Sequence, residues 1–459
     1  MISNKLITDS WNRNYDRIAR KNRKIKNANV FIGFNANIDS VIYVDNSFEK
    51  ILVENGITKL PDNYTAPQKI ETKKEFLEVL LYSVTMSKEM ELITSNKKLE
   101  NWIENTFNIN ENRIGGQAGI MSKFLDSIGC RVVFSTPKLS DKMANLMPKD
   151  ILIPTKEGIV RLNKATKSED TKANYIFEYK SGLSILNKQT KHSDRFILAT
   201  RPKGIEPRFH ESTTIKFLSF FERIDRAIIS GFHAIKAENK QEFEKSHIQI
   251  EKIKKANPDL KLHVEDAYII DSRVSEELLN IIVTHIHSLG LNEVELENTL
   301  LFMHKNKLSN AIKKSNYSLF ECYIGALSLY KKMKLERINM HTYNYCLIIL
   351  SKNYGTGPEK MRDGLLFSIL CASAKASYGV VSSIEDIKKV KTNLNMAGIK
   401  DIKRIHKELG ICDGFLETGI CDMGDHFLIA VPTKISNTLK STVGLGDVVS
   451  SSAFVYDIL

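Results

Sequence analysis

Several well-known catalytic signatures are missing from this chain of 459 residues. It has no Walker A Gly-x-x-x-x-Gly-Lys-Ser/Thr and no His-Arg-Asp or Asp-Phe-Gly set, which excludes P-loop and protein-kinase chemistry. It has no amino-terminal Gly-x-Gly-x-x-Gly followed by a ribose-binding acid, which argues against a dinucleotide oxidoreductase. The six cysteines are scattered, with no Cys-x-x-Cys pair, so neither a structural zinc site nor a disulfide scaffold is expected. A reducing, cytoplasmic location fits that usage. No apolar run approaches the roughly eighteen residues of a membrane span, and Met1-Ile-Ser-Asn-Lys-Leu-Ile has no signal-peptide core. No membrane partner is therefore expected. Repeats, low-complexity tracts and Pro/Gly linkers are also absent, so a second domain has to arise from excursions within the fold.

A hydrophobic fraction of 42% supports a substantial core. The formal net charge of +12 is carried by lysines spread along helical stretches. Aromatic residues do not interleave with them as a base-stacking surface requires. A solvated surface set by composition is expected, with no nucleic-acid partner; steering of small anionic substrates is the lesser alternative. An RNA-binding protein would instead lose affinity steeply with salt.

Residues 9–27 read as an amphipathic helix with Trp11, Tyr15, Ile18 and Ile25 on one face. The run Asn29-Val-Phe-Ile-Gly-Phe34 is a buried strand that breaks into Asn35-Ala-Asn-Ile-Asp39 before strand character resumes at residues 40–44. Residues 174–179 and 194–199 alternate at a period of two and predict a more exposed sheet. Further strands are predicted at 129–135, 226–230, 261–265, 346–350 and 427–431. Helices are predicted at 73–99, 120–128, 239–256, 275–288, 319–334, 360–377 and 382–394. Asn292-Glu-Val-Glu295 is read as following a helix-to-strand connection. Alternation of strand and helix predicts an α/β fold with a parallel sheet covered on both faces.

The most informative segment is Ser441-Thr-Val-Gly-Leu-Gly-Asp447. It lies between a strand and a helix start. Gly444 and Gly446 let the backbone turn sharply and a ligand approach closely. The free amides of the following helix suit a phosphate. Asp447 at the same corner can accept a proton from an attacking hydroxyl. The acidic motifs His263-Val-Glu265 and Asn292-Glu-Val-Glu295 offer the oxygen ligands that Mg²⁺ requires.

Seven motifs in order, Gly33-Phe-Asn-Ala-Asn-Ile-Asp39, Gly115-Gly-Gln-Ala-Gly119, Asn174-Tyr-Ile-Phe-Glu178, His263-Val-Glu265, Asn292-Glu-Val-Glu-Leu296, His341-Thr-Tyr and Thr442-Val-Gly-Leu-Gly-Asp447, span nearly the whole chain. Together they resemble the archaeal ADP-dependent phosphofructokinases and glucokinases of the ribokinase-like superfamily. The methanogen type, which acts on both fructose 6-phosphate and glucose, is the nearest in pattern. The resemblance implies a ribokinase-like three-layer α/β/α large domain over residues 1–38, 114–170 and 203–459. A smaller lid domain with its own β-sheet covers 39–113 and 171–202. It implies Asp447 as base and nucleotide contact, and Val443, Gly444, Leu445 and Gly446 as an anion hole. Glu265 and Glu295 would hold Mg²⁺ or another divalent cation. Asn35, Asn37, Asp39, Gly115, Gly116 and Gln117 would grip the sugar, with an acid from the predicted helix near 87–92, where Glu89 and Glu91 stand and Glu91 is carried into the site. Lys172, Asn174, Arg195 and Arg201 would take a sugar phosphate, an Arg fork being suited to that group. His341 and Val431 would line the nucleotide pocket.

The implied reaction is transfer of the β-phosphoryl of ADP to fructose 6-phosphate, giving fructose 1,6-bisphosphate and AMP, with glucose as a second acceptor. A monomer or small homo-oligomer is expected. An ATP-dependent ribokinase-like sugar or nucleoside kinase is the alternative. The His-x-Glu and Asn-Tyr-Ile-Phe-Glu motifs weigh against it.

Overall fold

In a computed structural model, residues 3–20, 28–209 and 218–458 are described. The helix Asn4–Arg20 buries Ile7, Trp11, Tyr15 and Ile18 on one face, as its spacing predicts. Ile25 lies outside the described residues. No helix among the described residues is long and apolar enough to cross a membrane.

The main body is an eleven-stranded sheet. Seven strands run parallel, in the spatial order Leu152–Thr155, Arg131–Ser135, Asn29–Gly33, Arg226–Ile229, Lys261–Glu265, Ser288–Leu291 and Arg337–His341. Both edges depart from the all-parallel expectation. Tyr345–Ser351, His426–Pro432 and Ile420–Asp422 extend one edge in antiparallel fashion, and Gly158–Arg161 closes the other. Short connections explain this: three residues separate Arg337–His341 from Tyr345–Ser351, which suffices for a hairpin but not for a crossover.

A separate five-stranded sheet has the order Met90–Thr94, Asp194–Thr200, Ala173–Tyr179, Asn37–Tyr43, Glu111–Gly115. Its alternate residues Phe177, Phe196, Leu198 and Ile42 enter a second hydrophobic core with Phe76 and Leu80, distinct from the core of the main sheet. The opposite face carries the polar side chains of Asn37, Asp39, Asn174 and Glu178, of which Asn37 and Asp39 are buried. Only three residues, Phe34 to Ala36, link Asn29–Gly33 of the large sheet to Asn37–Tyr43 of the small one. The break seen in the sequence is therefore a change of sheet.

Three helix boundaries are corrected. The helix predicted over 73–99 ends at Met86, with Ser87 at φ 50°. Residues Met90–Thr94 form a strand that pairs in parallel with Asp194–Thr200, and a second helix, Lys97–Thr106, follows. Tertiary pairing overrides the helix preference of the Lys/Glu/Met/Leu run there, so Glu91 sits on a strand. The helix predicted over 275–288 is Ser272–Glu277 followed by a π turn and a 3₁₀ turn, and Ser288 already belongs to a strand. The helix predicted over 382–394 is a single short one, Ile384–Lys389, ahead of the strand Thr392–Leu394. The order around Asn292 is also reversed: Leu289-Gly-Leu ends a strand, and Asn292 caps a helix. The strand Arg337–His341 and the helix Met396–Leu409 were not anticipated.

Candidate active site

Ligands of α/β sheets gather beyond the carboxyl ends of parallel strands, and the polar residues of this chain converge there. The helix Leu445–Val455 begins after Gly444, whose φ of 67° is the left-handed region that favours glycine. A Cβ on Gly444 would sit 2.6 Å from Ile120 Cδ1 and 3.0 Å from Lys375 Nζ, and one on Gly446 would sit 2.3 Å from His341 Nε2. The turn is thus held between the helix Gln117–Ser127 on one side and His341 on the other. Val448 to Val455 are all buried, which pins the helix start in place. Its first-turn amides have no intrahelical acceptor and point at the corner that Asp447 occupies. Burial pushes the Asp447 carboxyl up to about 6, against the opposing pull of the Lys375 ammonium.

Lys375 is a residue that sequence reasoning missed. It lies near the end of the helix Pro358–Tyr378, and its ammonium reaches the glycine turn. Burial lowers its pKa, while Asp447 and Asp39 raise it. No carboxylate among the described residues comes within 4.0 Å of its nitrogen. The available signal was the run Cys371-Ala-Ser-Ala-Lys-Ala-Ser377. Small residues there allow the helix Leu445–Val455 to pack closely, and the lone lysine is the one group long enough to reach past them.

A second cluster lies beside the turn. Glu265 ends its strand fully enclosed, accepting from Ser450 Oγ and 3.0 Å from His263 Nε2. Arg337 donates to Ser288 Oγ at 2.9 Å, and Ser288 Oγ lies 2.8 Å from His263 Nδ1. Burial keeps His263 neutral. Nε2 faces the Glu265 carboxyl, so the tautomer with its proton on Nε2 donates there, and Nδ1 then accepts from the Ser288 hydroxyl. Glu295 sits in a reciprocal cap. Its carboxylate accepts from the Asn292 amide at 2.8 Å, while Asn292 Oδ1 accepts from the Glu295 amide at 2.9 Å. Asp266, the other group that sequence reasoning missed, directly follows Glu265 and is buried. Burial pushes Asp266 up to about 7, and burial followed by the charge of Asp266 pushes Glu295 up to about 8. Burial likewise raises Glu265, and Asp447, Glu295 and Asp266 add to the rise. Carboxylates that resist ionising together form a ready cation site.

Gly290 makes this packing possible. A Cβ there would lie 2.0 Å from Glu265 Oε2 and 2.7 Å from both His263 Nε2 and Ser450 Oγ. Gly290→Ala is expected to fold but to displace the Glu265 carboxylate. The Mg²⁺ concentration for half-maximal activity should rise about 10–100-fold, the usual scale for disturbing a metal's supporting groups. An unchanged Mg²⁺ requirement in that variant would remove Glu265 from the cation site.

The polar face of the small sheet forms the opposite wall. Asp39 Oδ1 accepts from Asn37 at 2.6 Å and from Asn174 at 3.1 Å. Burial raises Asp39, against those hydrogen bonds and the Lys172 charge. Lys172 Nζ donates to Asn35 Oδ1 at 2.8 Å. Gly115 has Asn37 Nδ2 and Asp39 Oδ2 each 2.5 Å from its would-be Cβ, and Gly116, at φ 72°, has the Asn35 carbonyl at 2.6 Å. The two glycines thus make room for the Asn35–Asp39 cluster. Gln117 donates to the Asp266 carbonyl, and its Oε1 is buried without a partner. It therefore joins the Asn35–Asp39 cluster to the acidic cluster.

The four expected phosphate contacts divide into two groups. The register places Lys172 and Arg201 at the same end of the sheet as Asn37 and Gly115. Arg195 lies opposite Glu178, six residues and about 20 Å of strand rise from Arg201. It pairs with Glu89 at 2.8 Å. Burial, then Arg201, pulls Lys172 down to about 7. The Glu91 charge favours the ionised forms of both Lys172 and Arg201, so Glu91 faces the same place. His341 is 4.0 Å from Glu265 Oε1 and lies against the glycine turn, largely buried between the two. Val431 is fully buried in the main core and presents no side-chain surface to a ligand.

Between the polar face of the small sheet and the helix Gln117–Ser127, residues 375–381 and residues 440–443 runs a cleft of about 390 Å³. Arg113, Lys123, Arg195, Lys375 and Lys440 line it against three acids, Asp39, Glu111 and Glu178, and Val443 stands at its edge. This excess of positive charge suits an anionic ligand.

Residues 28–456 match the family model described as the ADP-specific phosphofructokinase/glucokinase conserved region. The chain is 32% identical to the ADP-dependent glucose/glucosamine kinase of Pyrococcus abyssi, over 96% of both chains. It is 29% identical to the ADP-specific phosphofructokinase of Methanosarcina acetivorans, covering 93% of this chain and 92% of the other. Among solved structures, the last common ancestor of ADP-dependent phosphofructokinases from Methanosarcinales superimposes with a TM-score of 0.86 at 28% identity, covering 100% of this chain and 99% of that one. An ADP-dependent kinase in complex with fructose-6-phosphate and ADPβS gives 0.80 at 28% identity, with the same coverage.

Proposed function

The chain belongs to the ADP-specific phosphofructokinase/glucokinase family and is an ADP-dependent sugar kinase; from that premise we propose that it phosphorylates the C1 hydroxyl of fructose 6-phosphate and also accepts glucose at its 6-hydroxyl. The observation that carries the phosphosugar reading is the pair Lys172 and Arg201. Both cations are depressed by burial, Lys172 further by Arg201, and neither has a carboxylate within 4.0 Å among the described residues. A sugar phosphate set between them relieves that repulsion. The relative solved with fructose-6-phosphate and ADPβS supports the same assignment. Glu91 beside the pair supports glucose, because a carboxylate accepts from a hydroxyl where a phosphate would be repelled.

In the proposed mechanism Asn35, Asn37, Asp39 and the Gly115–Gly116 turn hold the sugar. Asp447 takes the proton of the attacking hydroxyl, the sugar oxygen bonds to the β-phosphorus, and the bond to the AMP oxygen breaks. The amides of Val443 to Gly446 and the Lys375 ammonium face the charge that spreads over the phosphoryl oxygens. Glu265, Asp266 and Glu295 fit Mg²⁺, because an all-oxygen, mutually repelling set is what a hard divalent cation relieves. When bound, such an ion neutralises charge on the diphosphate. We further propose that residues 39–113 and 171–202 act as a lid over the remainder of the chain. The separate hydrophobic core beneath the small sheet supports this, since such a unit can move as one body.

The test is an assay of AMP release with ADP or ATP as donor, over a panel of sugars. ADP with fructose 6-phosphate is expected to give the highest turnover, glucose a measurable rate, and excess EDTA none. Preference for ATP, or activity that persists in EDTA, would overturn the donor or the cation assignment.

A further inference from the structure

A second group of metal-binding side chains lies away from the catalytic cleft. The helix Lys240–Ala256 carries His247 and Glu251 one turn apart. The 3₁₀ turn Val283–His285 brings His285 against them. His285 Nδ1 is 3.3 Å from Glu251 Oε1, and His247 Nε2 is 4.0 Å from the same oxygen. One ligand atom from each of the three residues falls within 4.8 Å of the others. The two imidazole rings stand 4.0 Å apart between centroids. His247 Nε2 is shielded from water and has no hydrogen-bond partner.

These separations are close to those of a bound ion. Ligands at about 2.0–2.2 Å in a tetrahedron lie roughly 3.4 Å from one another. The His285–Glu251 distance already matches, and small side-chain rotations close the remaining gaps. Burial lowers the His247 pKa, which favours the neutral imidazole that binds metal, and against the opposing effect of burial the Lys254 ammonium helps hold the Glu251 carboxyl below its usual range. The charged groups facing the cluster are Glu244 and Lys254. Lys254 pairs with Glu251 at 3.3 Å and competes for its carboxylate.

We propose that His247, Glu251 and His285 form a site for a divalent transition metal of the Zn²⁺ class, which ties the helix Lys240–Ala256 to the turn before the strand Ser288–Leu291. Two imidazoles and one carboxylate favour a borderline ion over Mg²⁺. The site is independent of the catalytic cation site. His285 precedes the amino end of Ser288–Leu291, whereas Asn292 and Glu295 follow its carboxyl end. The metal therefore contributes stability, and the sugar-kinase reaction does not depend on it.

The test uses Co²⁺ as a spectroscopic stand-in for Zn²⁺, titrated into the full chain with Mg²⁺ in large excess to occupy the catalytic acids. Wild type is expected to bind one Co²⁺ with the visible absorption of a four-coordinate ion, and Zn²⁺ should displace it and raise the melting temperature. His247→Ala and His285→Ala should each weaken binding more than about a hundredfold, beyond the usual loss from disturbing a supporting group. Lys254→Met should tighten it by releasing Glu251. Sugar-kinase activity should be unchanged in all three variants. Absence of the Co²⁺ band, or a band that survives both histidine substitutions, overturns the proposal. So does a Lys254→Met variant that binds Co²⁺ no better than wild type.

Discussion

Asp447→Asn is expected to lower turnover about 10²–10⁴-fold, the scale for loss of a positioned base, while leaving ADP binding close to wild type. The amide is the same size and keeps the glycine turn intact. It cannot take the proton from the sugar hydroxyl. The pH profile carries the same signature. Burial raises the Asp447 pKa to about 6, and the base works only when ionised. In wild type kcat/KM should therefore rise with pH through about 6 and fall below it, since that ratio reports the free enzyme. Asp447→Asn should lose this acidic limb. Near-wild-type turnover, or an acidic limb retained in the variant, would take Asp447 out of the mechanism.

Lys375→Met is expected to lower kcat about 10²–10³-fold, comparable to removal of one preorganised donor from an anion hole. Its ammonium stands 3.0 Å from the would-be Cβ of Gly444, beside the amides proposed to receive the phosphoryl group. Met preserves the packing of the unbranched stem while removing the charge. The variant has a second readout. Lys375 holds the Asp447 pKa down, so its loss should move the acidic limb to higher pH. Lys375→Arg keeps the charge and should restore the limb to its wild-type position. A Lys375→Met enzyme with wild-type kcat and an unmoved limb would show that the lysine only fills space.

The parts of the site legible in the sequence were those carried by local chain geometry. The glycine turn at 441–447 follows from backbone freedom and a helix start. Asn292-Glu-Val-Glu295 was marked by its acids, but the order of strand and helix around it was read backwards, and its capping role emerged only from the structure. Glu91 was placed on a helix because Lys88-Glu-Met-Glu-Leu92 has helix-forming side chains, and only pairing with Asp194–Thr200 makes it a strand. Lys375 and Asp266 were passed over because a lone charge in a helix or after a strand has no local mark. Their importance comes from what packs against them. The expected set of four phosphate contacts divided for a related reason: Arg195 and Arg201 are near in sequence, but an extended strand carries them about 20 Å apart.

The sequence by itself determined the family, the α/β class, the core-facing periodicities and the glycine-lined corner, because each depends on residue types within a few positions of one another. Only the tertiary structure decided that burial raises the acids at 265, 266, 295 and 447, with Asp266 and Asp447 adding to the rise at Glu265 and Glu295, that Lys375 reaches the glycine turn, and that His247, Glu251 and His285 meet. Those effects depend on distance through space and on exclusion of water, which arise only when remote segments pack together.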